Sequence, residues 1–331
     1  MTKRKKIFIT GGNGFIGSCL VKKLIDMGEE PVCLILPGEN SEEIKNFGAK
    51  IIFGDITDKK TLYPALKDVS VIYHLAASVG SMNPDILNLI NVEGTKNLID
   101  VAIELKLPIE RFLMASSVAA AGPVKKGEIQ NEYRKPDPVS DYGKSKLKAE
   151  QYLISKKSLI PFTIIRFPLV YGPRSNGGLF TAFKLLSRHL ELKFPEMETN
   201  IAYVEDIADG MIEAVLSKKT VGEVFTIGED HVYNSREMVR KMKSVLNIWT
   251  ITLPVSTGLL YFFCFIFEFF AKITGKNPVL RKKNLDEYFK YRYWGYSIEK
   301  AADYFGYTTK VSFEKGIKRT FDWYRKNGIV K

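Results

Sequence analysis

An α/β architecture, a doubly wound parallel sheet with a smaller, mainly helical C-terminal cap, is expected from three features of this 331-residue chain. Short apolar runs alternate with helical periodicity through the first half, as parallel strands covered by crossover helices require. The runs are apolar throughout rather than alternating, which marks strands buried on both faces. Beyond residue 168 the alternation loosens and helical patterns dominate. The expected division is 1–168 for the sheet domain and 169–331 for the cap, with the sheet completed by strands near 201–204 and 224–227.

Taken in order, Ile7-Phe8-Ile9-Thr10 is the first strand, and Ile16 to Met27 carries helical periodicity. Pro31 to Leu36, Lys50 to Phe53, Val71 to His74 and Phe112 to Ala115 are further strands, each flanked by Gly, Asn, Asp or Pro. Asn91 to Lys106 and the segment from Asp141 are helical, and Phe162 to Phe167 and Val224 to Ile227 are later strands. Tyr171 to Gly178 is a loop, and Asn247 to Leu253 can form one more strand.

Hydrophobic residues at 45% and charged residues at 26% are an ordinary globular composition and exclude a disordered, collagen-like or coiled-coil chain. Three cysteines (Cys19, Cys33, Cys264) cannot build a disulfide framework, and three scattered histidines (His74, His189, His231) offer no metal centre. No metal is expected. Lys3-Arg4-Lys5-Lys6 precedes an apolar run too short for a signal peptide, so a reduced, cytoplasmic setting is the expectation. The formal net charge of +12 favours anionic partners. Because it is spread along the chain, a phosphorylated cofactor or an anionic membrane surface is expected rather than nucleic acid.

Between the first strand and the first helix lies Thr10-Gly11-Gly12-Asn13-Gly14-Phe15-Ile16-Gly17. The spacing Gly11, Gly14, Gly17 is a variant of the dinucleotide loop of a Rossmann-type sheet. Glycine permits the tight turn and close approach of backbone to a pyrophosphate, and the helix N-terminus presents unpaired N–H groups. An acid at the end of the second strand would select NAD and an Arg would select NADP. Leu36 occupies that place, with Glu39 in the loop beyond, so the choice stays open and the absent Arg favours NAD. Asp55 after the third strand either accepts from an adenine amino group, the favoured role, or caps a helix beginning near Thr57.

Tyr142 and Lys146 share one face of a helix. A nearby ammonium favours the phenolate, so the pair can act as an acid toward a ketone or a base toward an alcohol. Ser116-Ser117 ends the strand upstream, on the side of the sheet that faces a cofactor crevice.

These pieces together resemble the extended short-chain dehydrogenase/reductases of the NAD-dependent epimerase/dehydratase superfamily. The resemblance runs nearly end to end. It takes in the Thr10–Gly17 loop, Gly54-Asp55, His74-Leu75-Ala76-Ala77, Asn91 to Thr95, Ser116-Ser117, Tyr142 to Lys146, Arg166 to Arg174 and Ala202 to Ala208. It implies that Tyr142 is the acid/base, that Lys146 holds the nicotinamide ribose and tunes Tyr142, and that Ser117, with Ser116 as fallback, orients the substrate. It implies a cofactor site of Gly11, Asn13, Gly14, Phe15, Ile16, Gly17, Asp55, Ile56, Leu75, Ala76, Ala77, Asn91, Tyr142, Lys146 and Phe167. His74 is then a packing residue. The helices of Asn91 to Lys106 and Asp141 to Lys157 are where two subunits of a homodimer would pair.

Departures from the family pattern narrow the branch. No Asp-Glu pair follows Ser117, as dehydratases would have. Pro168 replaces an Asn of nucleotide-sugar enzymes, and Glu198-Thr199-Asn200 carries no Arg to hold a pyrophosphate, although Arg174 and Arg188 are available to compensate. From Ile248 to Phe267 no residue is charged. Pro254 divides this stretch, leaving a Phe-rich helix over 257–273 with one narrow polar stripe of Thr257, Tyr261, Cys264, Glu268 and Lys272. That helix is a buried cap helix, a bilayer span or, the favoured reading, a monotopic membrane contact aided by Lys272, Lys276, Arg281, Lys282 and Lys283. This layout, continuing through Gly275-Lys276-Asn277-Pro278, resembles the 3-beta-hydroxysteroid dehydrogenase branch. The expected function is NAD(P)-dependent interconversion of a secondary alcohol and a ketone on a lipophilic, sterol- or isoprenoid-like substrate, in a peripherally membrane-associated protein. The alternatives are a nucleotide-sugar epimerase or reductase and a non-catalytic dinucleotide-binding sensor.

Overall fold

The computed structural model describes residues 5–81, 83–274 and 282–330. Along the chain β1 (Ile7–Thr10), α1 (Phe15–Asp26), β2 (Val32–Ile35), α2 (Glu42–Phe47), β3 (Lys50–Phe53), α3 (Lys59–Ala65) and β4 (Val71–His74) alternate. There follow α4 (Pro84–Leu87), a π-helical stretch (Asn88–Glu93) and α5 (Gly94–Glu104), and then β5 (Arg111–Ser117), α6 (Asp141–Ser155) and β6 (Phe162–Phe167). The second half contributes β7 (Leu169–Tyr171), α7 (Leu179–Leu186), β8 (Leu190–Lys193), β9 (Glu198–Thr199), β10 (Ile201–Tyr203), α8 (Val204–Leu216), β11 (Glu223–Thr226) and β12 (Tyr233–Asn234). It ends with α9 (Ser235–Leu246), β13 (Ile251–Pro254), α10 (Thr257–Thr274), α11 (Lys282–Lys290), β14 (Tyr293–Trp294), α12 (Glu299–Phe305) and α13 (Phe313–Lys326).

Seven parallel strands form the central sheet in the order β11-β6-β5-β4-β1-β2-β3. This is the Rossmann-type order, with the chain reversing direction across the sheet between β1 and β4. Both faces are covered. Ile7, Ile9, Leu113 and Ile165 pack with Leu20, Val21, Ile207 and Met211 of α1 and α8 on one side. Phe8, Phe112, Met114 and Ile164 pack with Leu62, Leu98, Ile99 and Leu153 of α3, α5 and α6 on the other. The two-residue alternation of a strand thus splits each apolar run between two cores. A third core, around Tyr171, Phe183, Tyr203, Phe313, Phe321 and Tyr324, fills the cap.

One strand expected to complete the sheet does not join it. Residues 201–203 form β10, which pairs with β7 in a separate two-stranded sheet, Ile201 opposite Leu169. Pro168 lacks an N–H and cannot carry the β5–β6 ladder beyond Phe167, so the chain leaves the sheet there. β11 takes the edge beside β6.

The Phe-rich helix is α10, and a buried position is excluded for it: Phe262 is 58% and Phe265 69% exposed, with Phe263 and Phe267 also at the surface. Three residues of its polar stripe, Tyr261, Cys264 and Glu268, turn inward instead, while Thr257 is exposed. The Tyr261 hydroxyl donates to Asp286 Oδ1 (2.6 Å), Glu268 Oε1 accepts from the Lys282 amide (2.9 Å), and Cys264 is buried. No helix among the described residues is long and apolar enough to cross a membrane. Of the basic residues expected beyond α10, Lys276 and Arg281, with the Gly275-Lys276-Asn277-Pro278 segment, lie outside the described residues. So do Lys3 and Arg4 and the side chains of Lys272 and Lys283; Lys282 is exposed.

Candidate active site

The glycine loop closes where β1 and β4 diverge. Gly11 has φ +71°, and a Cβ there would sit 2.7 Å from the Ala76 amide nitrogen, so only glycine lets the loop touch the end of β4. A Cβ at Gly17 would lie 2.0 Å from the Gly11 carbonyl oxygen, which sets how tightly α1 packs under the loop. At Gly14 an added Cβ meets only the Gly11 oxygen at 3.2 Å, so the mouth of the loop is open. Gly14 is also the N-cap of α1 and offers no side-chain cap. The open mouth and uncapped helix start are what a pyrophosphate fills, so these residues fit a dinucleotide. Asn13 Nδ2 donates to Glu39 Oε2 (2.8 Å), tying the loop after β1 to the loop after β2.

Asp55 Oδ1 accepts from the Thr57 amide (2.8 Å), whereas Asp58 caps α3 by accepting from Lys60. Asp55 is therefore the acid of a local turn at the β3 end and not the helix cap. Ile56 is buried against Gly94, whose added Cβ would be 2.7 Å from the isoleucine Cδ1. At the β4 end, the Leu75 amide donates to the Thr10 carbonyl (3.1 Å) and the Ala76 amide to Thr10 Oγ1 (3.2 Å), with Ala77 next in chain. His74 bonds Thr10 Oγ1 (2.7 Å) and Thr95 Oγ1 (2.8 Å), and burial, with Lys146 nearby, pushes its pKa down to about 3. It is a neutral strut between β1, β4 and α5. Asn91 is buried, with its amide committed to both backbone groups of Ser78 and to Ser145 Oγ (3.0 Å).

The end of β5 separates the two serines. Ser116 Oγ is buried and donates to Glu150 Oε1 (2.5 Å). Ser117 faces the opposite way, half-buried, near enough to Tyr142 to favour its phenolate, and accepts from the Ala119 amide (3.2 Å). Phe167 lies beside it in the sheet register. Ser140 caps α6 by accepting from the Gly143 amide (3.0 Å). A Cβ at Gly143 would be 2.2 Å from the Ala119 oxygen, so the first turn of α6 rests directly on the turn after Ser117. That contact brings Tyr142 to Ser117. One helical turn deeper, Lys146 Nζ donates to the Ala115 carbonyl (2.7 Å).

Burial raises the Tyr142 pKa to about 12, opposed by the neighbouring Ser117 hydroxyl, and lowers that of Lys146 to about 8, opposed by Glu150. The lowering of Tyr142 by Lys146 anticipated from their spacing is not among the causes that act on it, and burial leaves Tyr142 a phenol with a proton to give at neutral pH.

Several residues that brace the site were not anticipated. Glu150 and Arg166 form a buried, two-bond ion pair (2.6 and 3.0 Å) below Lys146. Tyr296 donates to the Gly122 carbonyl (2.6 Å) and the Val118 carbonyl (3.2 Å), gripping the turn that carries Ser117. Val124 and Gln130 amides bond the Tyr293 and Gly295 carbonyls, so the segment around β14 runs along the same loop. An Arg inside the apolar run Phe162–Phe167 was the available signal for the first pair, since it demands a carboxylate. Asn200 is buried, its amide divided between the Glu229 carbonyl (3.0 Å) and the Tyr296 amide (2.8 Å). Arg174 is engaged by Glu43 (2.5 Å) and by Ser18.

Residues 7–228 match the NAD dependent epimerase/dehydratase family. Among curated relatives, the UDP-glucose 4-epimerase of Vibrio cholerae is 27% identical over 291 residues, covering 83% of this chain and 84% of that one. The decarboxylating sterol-4-alpha-carboxylate 3-dehydrogenase of Saccharomyces cerevisiae is 26% identical over 351 residues, covering 98% and 99%. Among solved structures, the UDP-glucose 4-epimerase of Thermotoga maritima with UDP-glucose superposes with a TM-score of 0.79 at 23% identity, covering 97% of this chain and 99% of that one. The chain belongs to the NAD-dependent epimerase/dehydratase family and is an NAD-dependent enzyme of the extended short-chain dehydrogenase/reductase type.

Proposed function

We propose that the protein interconverts a secondary alcohol and a ketone on a lipophilic substrate of sterol or isoprenoid type, presented at an anionic membrane surface. The observation that carries the chemistry is the packing of the first turn of α6 on the turn after Ser117, which sets Tyr142 beside Ser117 with Lys146 one turn below. The nicotinamide ring supplies the hydride acceptor or donor when bound. Gly11, Gly14 and Gly17 admit the pyrophosphate, and Lys146 holds the nicotinamide ribose. Ser117 orients the substrate oxygen, and Tyr142 gives it a proton in reduction or takes one in oxidation. NAD is the preferred form: Leu36 stands where an Arg would meet a 2′-phosphate, and the Glu39 carboxylate lies beside Asn13.

The substrate class rests on the second half of the chain. The outward face of α10 (Phe262, Phe263, Phe265, Phe267), with Trp249, Ile251 and Leu253 around β13, leaves a row of large apolar groups in solvent. Lys193, Lys282 and Lys290 are exposed on the neighbouring β8 and α11. Apolar groups backed by lysines suit an anionic lipid surface. A shallow cleft lined by Val139, Lys282, Asp286, Glu287, Lys290 and Tyr291 lies between α11 and the segment just before the Tyr142 helix. A nucleotide sugar is less well served, because Asn200 stands where an Arg is wanted and Arg174 is already paired.

The test begins with mass spectrometry of ligands that co-purify with the protein. A lipid alcohol or ketone is expected, and it should drive NAD reduction or NADH oxidation in absorbance assays. Tyr142→Phe should cut that turnover by about 100-fold or more. Recovery of a nucleotide sugar instead, or full turnover by Tyr142→Phe, would overturn the reading.

A further inference from the structure

We propose that Glu150 is a positioning residue for Lys146: its carboxylate, anchored by Ser116 and Arg166, is what allows a lysine ammonium to persist in the buried floor of the active site. The proposal rests on the reading of Lys146 given above.

Tyr142, Lys146 and Glu150 follow one another at four-residue intervals, so they stack along one face of α6. Exposure falls with depth, from the half-buried Tyr142 to Glu150 at 0%. A carboxylate so buried persists only when paired and hydrogen-bonded. Glu150 meets the condition, with Ser116 donating to Oε1 (2.5 Å) and Arg166 donating to both oxygens (3.0 and 2.6 Å). Ser116 and Arg166 are register partners on β5 and β6, so the clamp is built into the sheet.

The surroundings of Lys146 show what the clamp achieves. On its own helix it faces Tyr142 and Glu150. On β5 it meets the Ala115 carbonyl, with Ser117 next along. On β4 it meets His74, held neutral by burial between Thr10 and Thr95. On β6 is Arg166, which also feels Glu132 from the loop after β5. Glu150 is the negative group between two buried cations. Removing it alone leaves Lys146 without its carboxylate and leaves Arg166 with only Glu132, and Lys146 is the one able to discharge by losing a proton. Removing Glu150 and Arg166 together deletes one charge of each sign and leaves Lys146 nearly as before.

The test is the pH dependence of NADH affinity, followed by NADH fluorescence from about pH 6 to pH 10, since an ammonium that holds the ribose stops donating as it titrates. Wild type should weaken through a break in this range. Glu150→Gln should move the break down by about one pH unit or more, and Glu150→Met with Arg166→Met should bring it back toward wild type. A merely structural Glu150 would give the double variant a loss no smaller than the single one and would leave the break in place. Glu150→Asp, which keeps the charge but withdraws it, should move the break down by less and serves if Glu150→Gln does not fold. A wild-type break that neither Glu150→Gln nor Glu150→Asp moves overturns the proposal. A wild-type profile with no break overturns the Lys146 reading instead.

Discussion

The central sheet and the α10–β13 region are both rich in large apolar residues, yet they dispose of them in opposite ways. Phe8, Phe112 and Phe162 are sealed between layers, and Lys22 and Asp26 of α1 and Lys144 and Lys148 of α6 face outward. In α10, Tyr261 and Glu268 bond to α11, and Phe262, Phe263, Phe265 and Phe267 point to solvent. Burying a Phe contributes to folding in proportion to the area removed from water, about 25 cal/mol per Å². Phe262, Phe263, Phe265 and Phe267 of α10, being exposed, contribute little of this to the isolated chain. Equal composition therefore does not mean equal work: one region uses its apolar area to fold, while the other leaves it in solvent.

Four measurements can break or sharpen this contrast. The largest effect is expected in the sheet, where Phe112→Ala should cost about 3–5 kcal/mol in urea denaturation. Phe265→Ala should stay within about 0.5 kcal/mol of wild type; equal losses at the two sites would abolish the distinction. Next, converting Phe262, Phe263, Phe265 and Phe267 to Ser should reduce co-sedimentation with phosphatidylglycerol vesicles about tenfold or more, a change of about 1.4 kcal/mol, while NADH binding holds. Wild-type protein that ignores such vesicles would remove the membrane from the proposal. Tyr142→Phe should behave as the mirror image, retaining full vesicle binding while turnover collapses.

A further effect should appear with acid. His74 is held neutral when folded, with its pKa near 3, whereas in the unfolded chain it titrates near its ordinary value of 6.5. Between these values the unfolded state binds the extra proton, so stability is full above about pH 6.5 and declines as pH falls below it. Urea midpoints should drop from pH 7 to pH 5, and His74→Gln, which can still bond both threonines, should flatten that slope. No such flattening would place the acid sensitivity elsewhere.

Much of the sheet was legible in the sequence because continuous apolar runs bounded by glycine and proline have few alternative fates. Ile7–Thr10, Val71–His74 and Phe162–Phe167 lie where the pattern put them. Ile201–Tyr203 was legible as a strand but not in its partner, since three apolar residues fit any ladder and the deciding feature, the missing N–H of Pro168, lies more than thirty residues away. In the site, the glycine loop and the Tyr142–Lys146 pair are local patterns and could be read directly. Glu150 could not be assigned that way, because a glutamate in a helix among lysines reads as a solvated face until Arg166 is placed opposite it. The grip of Tyr296 on Gly122 joins residues 174 positions apart, a contact that no local pattern encodes.

That last contact bears on how the protein comes into being on the ribosome. Six of the seven sheet strands have been synthesised by Phe167, and the seventh by Thr226. The turn that carries Ser117 is made early, but its Tyr296 clasp is made some 170 residues later. At about 5–20 residues per second of synthesis, the interval is on the order of ten to thirty seconds. During that interval the glycine loop and the strands around it have all their parts while the serine turn waits for its clasp. On the roles proposed above, the nascent chain gains the means to hold a cofactor before it gains the finished serine turn.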